Sequence, residues 1–222
     1  NALMVSHRMW DALPNFAVGT GKTLVMADVS GSMGGLYKHA GGPAPMLVSV
    51  SLALYFATKT TGPFANHFMT FSSDPSLVKL PESGSLKRKI SIIQKSDWGM
   101  STNLQKAFDV ILQSAVKHNV AAEDMPERIV IVSDMEFNRA CTYTNFELIS
   151  KKYAEAGYTL PGIVFWNVNG RAGNVPVTYD QTGVALVSGY SPSIMKTIVE
   201  TGTLASPLDV MLQTLSSGRY KL

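Results

Sequence analysis

Apolar residues in this chain gather into short continuous runs rather than alternating with polar ones. Five runs have strand length: TLVMAD (23–28), NHFMTFS (66–72), RIVIVSD (128–134), GIVFWNV (162–168) and GVALVSG (183–189). They are rich in Val, Ile and Phe, and most lack strict alternation, which is how strands buried on both faces read. Between them the period lengthens. NLQKAFDVILQSAVKHN (103–119) sets Leu104, Phe108, Ile111, Leu112 and Ala115 on one helical stripe. NFELISKKYAEAGY (145–158) does the same for Phe146, Ile149 and Tyr153, with Gly157 as its stop. SPSIMKTIVETG (191–202) and SPLDVMLQTLSSG (206–218) both open on Ser-Pro, a cap followed by proline in the first turn, and close at glycine.

Strands alternating with helices along the whole length predict an α/β fold. The expected form is Rossmann-like and doubly wound: a mostly parallel sheet with helices on both faces. SLVKL (76–80) is short enough to be one antiparallel edge strand. Residues 1–20 read as an N-terminal helical arm, ALMVSHRMWDAL ended by Pro14, or as the end of a missing upstream domain; residues 21–222 read as the domain itself. The first residue is Asn1 rather than Met, which suits a monomeric domain of a larger chain.

Composition narrows the function classes. Hydrophobic residues make up 45% and charged residues 16% of the 222, a globular balance. The net charge of +3 leaves no nucleic-acid footprint, so no direct nucleic-acid contact is expected. The densest basic stretch, KLPESGSLKRKI, mixes Lys87, Arg88 and Lys89 with Glu82 and reads as a solvated helix face. A single cysteine, Cys141, and the lack of any Asn-x-Ser/Thr site lean towards an intracellular, cytoplasmic setting. No signal peptide is seen. No membrane contact is expected, because the longest apolar stretch, MLVSVSLALYFA (46–57), is shorter than the ~20 residues a span requires.

Two glycine-marked loops flank the first strand. GTGKT (19–23) suggests a phosphate cradle, but that motif needs glycine at position 16, which is Phe16. It must also open a helix, and here a strand follows. DVSGSM (28–33) is different. Asp28 ends a buried strand, where α/β sheets bind ligands. Asp-x-Ser-x-Ser offers a carboxylate and two hydroxyls, hard donors suited to Mg²⁺ or Mn²⁺. One loop cannot fill an octahedral shell, so more oxygens are expected at other strand ends. DWGMSTNLQ (97–105) supplies Thr102 at a helix start, and RIVIVSDMEF supplies Asp134.

The set Asp28, Ser30, Ser32, Thr102 and Asp134 resembles the metal-ion-dependent adhesion site of von Willebrand factor type A domains. The likeness covers roughly residues 21–222. DWGMSTNLQKAFD and VSDMEF look closer still to a poorly characterised multi-domain family that carries this module near its C-terminus. Ro ribonucleoproteins, whose RNA is held by a separate domain, are a more distant likeness. The resemblance implies that Ser30 and Ser32 bind the ion directly. It implies that Thr102 binds directly or through water, and that Asp28 and Asp134 act mostly through water or hydrogen bonds. The sixth position is left for an Asp or Glu of a protein partner. Charge counting agrees: two aspartates only just neutralise a divalent ion, so an incoming carboxylate meets an under-compensated cation. Two features depart from the family pattern: Met135 and Glu136 stand where it has a glycine context, and the loop MGGLYKHAGGPAP is long.

Plainer readings exist. Thr102 fits a helix cap paired with Gln105, Asp134 a solvated loop acid, and DVSGSM an ordinary turn. His7, His39, His67 and His118 have no zinc spacing. Trp98 reads as a loop brace, and the methionines as core filler, with Met33 and Met100 on the rim of the site. The expected function is a metal-dependent protein-binding module and not an enzyme. One alternative is a phosphotransferase of haloacid-dehalogenase type, which needs a second aspartate where Ser30 stands. Another is the accessory domain of an RNA-binding protein.

Overall fold

The five apolar runs and SLVKL join in one sheet. The computed structural model describes residues 2–14, 22–34, 44–96, 103–134, 146–169, 184–189, 211–212 and 215–216. Its strands are β1 (Thr23–Ala27), β2 (His67–Thr70), β3 (Leu77–Lys79), β4 (Arg128–Ser133), β5 (Gly162–Asn167) and β6 (Val184–Ser188). Their order is β3-β2-β1-β4-β5-β6. Every neighbouring pair is parallel except β2 with the edge strand β3. The chain thus builds outward from β1 to β3, then returns to the other flank of β1 to start β4. That reversal puts the topological switch between β1 and β4, where a doubly wound sheet opens a crevice at its carboxyl edge.

Successive side chains of a strand point to opposite faces, and both faces here are covered. Leu24, Met26, Ile129, Ile131, Ile163 and Phe165 pack under helices α4 (Leu104–Lys117) and α5 (Phe146–Glu155). Val25, Ala27, Val130, Val132, Val164 and Trp166 pack under α2 (Pro45–Lys59) and α3 (Leu86–Lys95). This two-sided burial is why the runs of β1, β4 and β5 carry no polar alternation; β6 departs from that reading, its positions being intermediate or exposed, with Leu186 42% exposed. Each fully buried Val, Leu, Ile or Phe contributes about 1.5–3 kcal/mol, so the apolar positions of β1 and β4 each add to the core.

The helices follow their stripes. On α4, Leu104, Phe108, Ile111 and Ala115 are buried, as the spacing predicts. Tyr153 of α5 donates its hydroxyl to the Phe108 carbonyl at 2.9 Å, and burial raises its pKa. Gly157, at φ +80°, takes the chain off α5 in a conformation open to glycine. The long apolar stretch of residues 46–57 is α2, which is covered by the sheet on one side and by α3 on another. On α3, Lys87, Arg88 and Lys95 are exposed. Helix α1 (Ala2–Asp11) leads to a segment tied to α2: the Trp10 ring meets Tyr55 edge-on at 6.4 Å, and the Tyr55 hydroxyl donates to the Pro14 carbonyl at 2.9 Å. No helix among the described residues is long and apolar enough to cross a membrane. Thr102, the glycine-rich loop with His39, Trp98, Met100, Met135, Glu136, Cys141 and the helix expected over 191–202 lie outside the described residues, as does most of 206–218.

Candidate metal centre

The site begins where β1 runs out of partners. The Asp28 N–H, one residue past β1, still donates to the Val132 carbonyl at 2.9 Å, so the chain is held to β4 up to Asp28. The chain then turns through a single 3₁₀ turn, Gly31–Met33, closed by Met33 N–H to the Ser30 carbonyl at 3.1 Å. Met33 is fully buried in the core on the α2 face. The sequence reading put it on the rim of the site; in fact its apolar side chain anchors the turn from below. Gly34, at φ +72°, leads the chain away in a conformation that L side chains rarely adopt. With the turn fixed at both ends, Ser30 is half-buried and Ser32 exposed. Their hydroxyl oxygens lie 3.0 Å apart.

Asp28 is 2% exposed. Its Oδ1 accepts the Ser30 N–H at 2.8 Å and its Oδ2 accepts the Ser133 hydroxyl at 2.7 Å. Burial pushes the Asp28 carboxyl above its ordinary value; the hydrogen bonds from Ser30 and Ser133 oppose that shift, and the nearby charge of Asp134 adds to it. Among the described residues, no lysine or arginine pairs with Asp28. DVSGSM is therefore more than an ordinary turn: its first residue is a buried acid bonded across two strands.

Asp134 follows β4 directly and is also 2% exposed, which overturns the reading of it as a solvated loop acid. The structure thus brings Asp28, Ser30, Ser32 and Asp134 to the carboxyl ends of two adjacent strands. Thr102 lies outside the described residues, but the next residue is informative. Asn103 is the N-cap of α4, its side chain accepting the Lys106 N–H at 2.9 Å. The cap is Asn103 and not Thr102, so the helix start leaves residue 102 without that duty. The Asn103 N–H donates to the Ser72 carbonyl at 3.2 Å, which ties the start of α4 to the loop after β2.

Sequence reasoning missed Ser133. It stands at the polar end of an apolar run, where a serine looks like the start of a turn. The available signal was its place immediately before Asp134 on a strand neighbouring β1.

The donor set fits a small hard cation. Two cis ligands on an octahedron of ~2.1 Å radius lie about 3.0 Å apart, and the Ser30 and Ser32 oxygens have that separation. The same separation also suits a hydrogen bond between them. Two aspartates bring the charge. No cluster of three or more His, Cys, Asp or Glu occurs among the described residues. Among the described residues, the donors gathered here are oxygens: the hydroxyls of Ser30 and Ser32 and the carboxylates of Asp28 and Asp134.

Comparison with known proteins places these features in context. A family model described as "Domain of unknown function (DUF7788)" matches residues 22–217. An uncharacterized protein, L728, of Acanthamoeba polyphaga mimivirus is 31% identical over 213 residues; the match takes in 93% of this chain and 36% of that protein. The crystal structure of the Ro (RSR) protein of Deinococcus radiodurans superposes with a TM-score of 0.61 at 17% identity, over 87% of this chain and 36% of the other. The chain thus spans about a third of the length of each. The structural likeness is one of fold, the von Willebrand A-like sheet with helices on both faces.

Proposed function

The chain belongs to the DUF7788 family, and on that premise we propose that it is a protein-binding module that works through a divalent cation. Ser30 and Ser32 would hold Mg²⁺ or Mn²⁺ through their hydroxyls. Asp28 and Asp134 would supply compensating charge, and Thr102 a further oxygen from a third loop. The bound ion would contribute Lewis-acid attraction for one more anionic oxygen. The partner's part is then an Asp or Glu side chain, because the two aspartates cancel the ion's charge without exceeding it.

One observation carries this reading. Two serine oxygens 3.0 Å apart sit beside a buried carboxylate, with a second buried acid ending the neighbouring strand at the point where strand order reverses. The protein's own part is to hold the oxygens in place before the ion arrives. Asp28 fixes the Ser30 backbone through its Oδ1, and buried Met33 fixes the far end of the turn.

The test is calorimetric titration of Mg²⁺ and Mn²⁺ into metal-free protein, repeated with Asp28→Ala and Ser30→Ala. Wild type should bind and both variants should bind far more weakly; equal behaviour of all three sinks the site. Partner chemistry is probed separately. Acetate added to the Mn²⁺-loaded protein should lower water-proton relaxation as carboxylate replaces coordinated water, and chloride should not.

A further inference from the structure

Asp28 owes one of its hydrogen bonds to its own loop and the other to a distant strand. The Ser30 N–H on Oδ1 is two residues away. The Ser133 hydroxyl on Oδ2 comes from 105 residues further along the chain and is itself 1% exposed. At 2.7 Å it has the length of a charge-assisted hydrogen bond to a carboxylate. Without it, Asp28 could turn about its side-chain bonds and still keep the short-range contact. With it, both carboxylate oxygens are pinned, and so is the Ser30 amide that leans on them.

We propose that Ser133 is a positioning residue for the cation: its hydroxyl sets the Asp28 carboxylate, which in turn sets the Ser30–Ser32 turn. The inference rests on the metal-binding reading above and extends it to a residue outside the Asp-x-Ser-x-Ser segment. One dipeptide at the end of β4 thereby serves the site twice, with Ser133 orienting the first acid and Asp134 supplying the second. Hydrogen-bonding partners behind the direct ligands commonly tune metal affinity by about 10- to 100-fold.

The experiment compares wild type, Ser133→Ala and Ser133→Thr. Mn²⁺ affinity is measured by calorimetry, and amide hydrogen exchange at Ser30 is measured in the metal-free proteins. Ser133→Ala should weaken Mn²⁺ binding by about 10- to 100-fold and speed exchange at the Ser30 amide, in protein that stays folded but melts at a lower temperature. Ser133→Thr, which keeps the hydroxyl, should restore most of both. Wild-type binding with a Ser133→Ala affinity within about twofold, and unchanged Ser30 exchange, overturns this inference and leaves the metal reading standing. Wild type that binds neither ion overturns the metal reading, and this inference with it.

Discussion

The two ends of β1 treat charge in opposite ways. At the amino end, Lys22 pairs with Asp124 and also donates to the Glu123 carbonyl, so each sign meets its opposite. At the carboxyl end, six residues on, Asp28 is buried beside a second buried acid and accepts hydrogen bonds from Ser30 and Ser133. Among the described residues, then, the chain carries an ion pair at one edge of this strand and two buried acids side by side at the other. Structural charges are usually compensated within the protein, because an uncompensated buried charge is costly. The contrast is what the metal-binding proposal sets out to explain.

The strongest way to break the contrast is to remove the acid. Asp28→Ala should lower Mg²⁺ affinity by up to about 100-fold, measured by calorimetry, while Lys22→Met should leave that affinity unchanged. If both variants bound the ion like wild type, the two edges would be alike in function.

Titration sharpens the contrast next. Because the folded-state pKa of Asp28 lies above its ordinary value of 3.8, the folded protein binds a proton more tightly than the unfolded chain in that window. Raising the pH through it therefore costs the metal-free protein stability. Asp28→Asn, which cannot ionise, should lack this loss. Urea unfolding across about pH 3.5 to 7 should show wild type falling behind Asp28→Asn as pH rises, with the gap closing near 3.8. Saturating Mg²⁺ should narrow the gap, since the ion takes the place the proton leaves.

A smaller effect separates cap from ligand at the start of α4. Asn103→Ala should cost about 1 kcal/mol in unfolding free energy through loss of the cap. Thr102→Val should leave stability within about 0.5 kcal/mol yet weaken Mg²⁺ binding. The smallest effect returns to the amino edge. The Lys22 and Asp124 side chains are 22% and 41% exposed, so Lys22→Met should cost only about 0.2–1 kcal/mol.

Much of the framework was legible because burial dictates composition. Val25, Val130 and Val164 sit in short runs whose central positions are apolar without alternation, since both faces of their strands are covered. The edge strand at Leu77–Lys79 was legible from its brevity. The site was legible as far as its oxygens are dictated by the β1 turn and the end of β4. Three details were not. Thr102 and Asn103 are both good capping residues by type; the structure gives the cap to Asn103, whose N–H also reaches Ser72 in a distant segment. Met33 is followed by glycines that suggest an open rim, yet the tight 3₁₀ turn points it into the core. Ser133 gains its meaning only from pairing with β1, and local pattern says nothing of which strands become neighbours.

That pairing has a kinetic consequence. β1 and β4 are joined across the whole length of chain that builds β2, β3 and three helices. Closing so long a loop is slow compared with forming any local element. During synthesis Asp28 must wait, with its turn unsupported, until the segment ending at Ser133 has emerged. A chain cut anywhere in between could keep the Asp-x-Ser-x-Ser letters and still have no carboxyl edge to present.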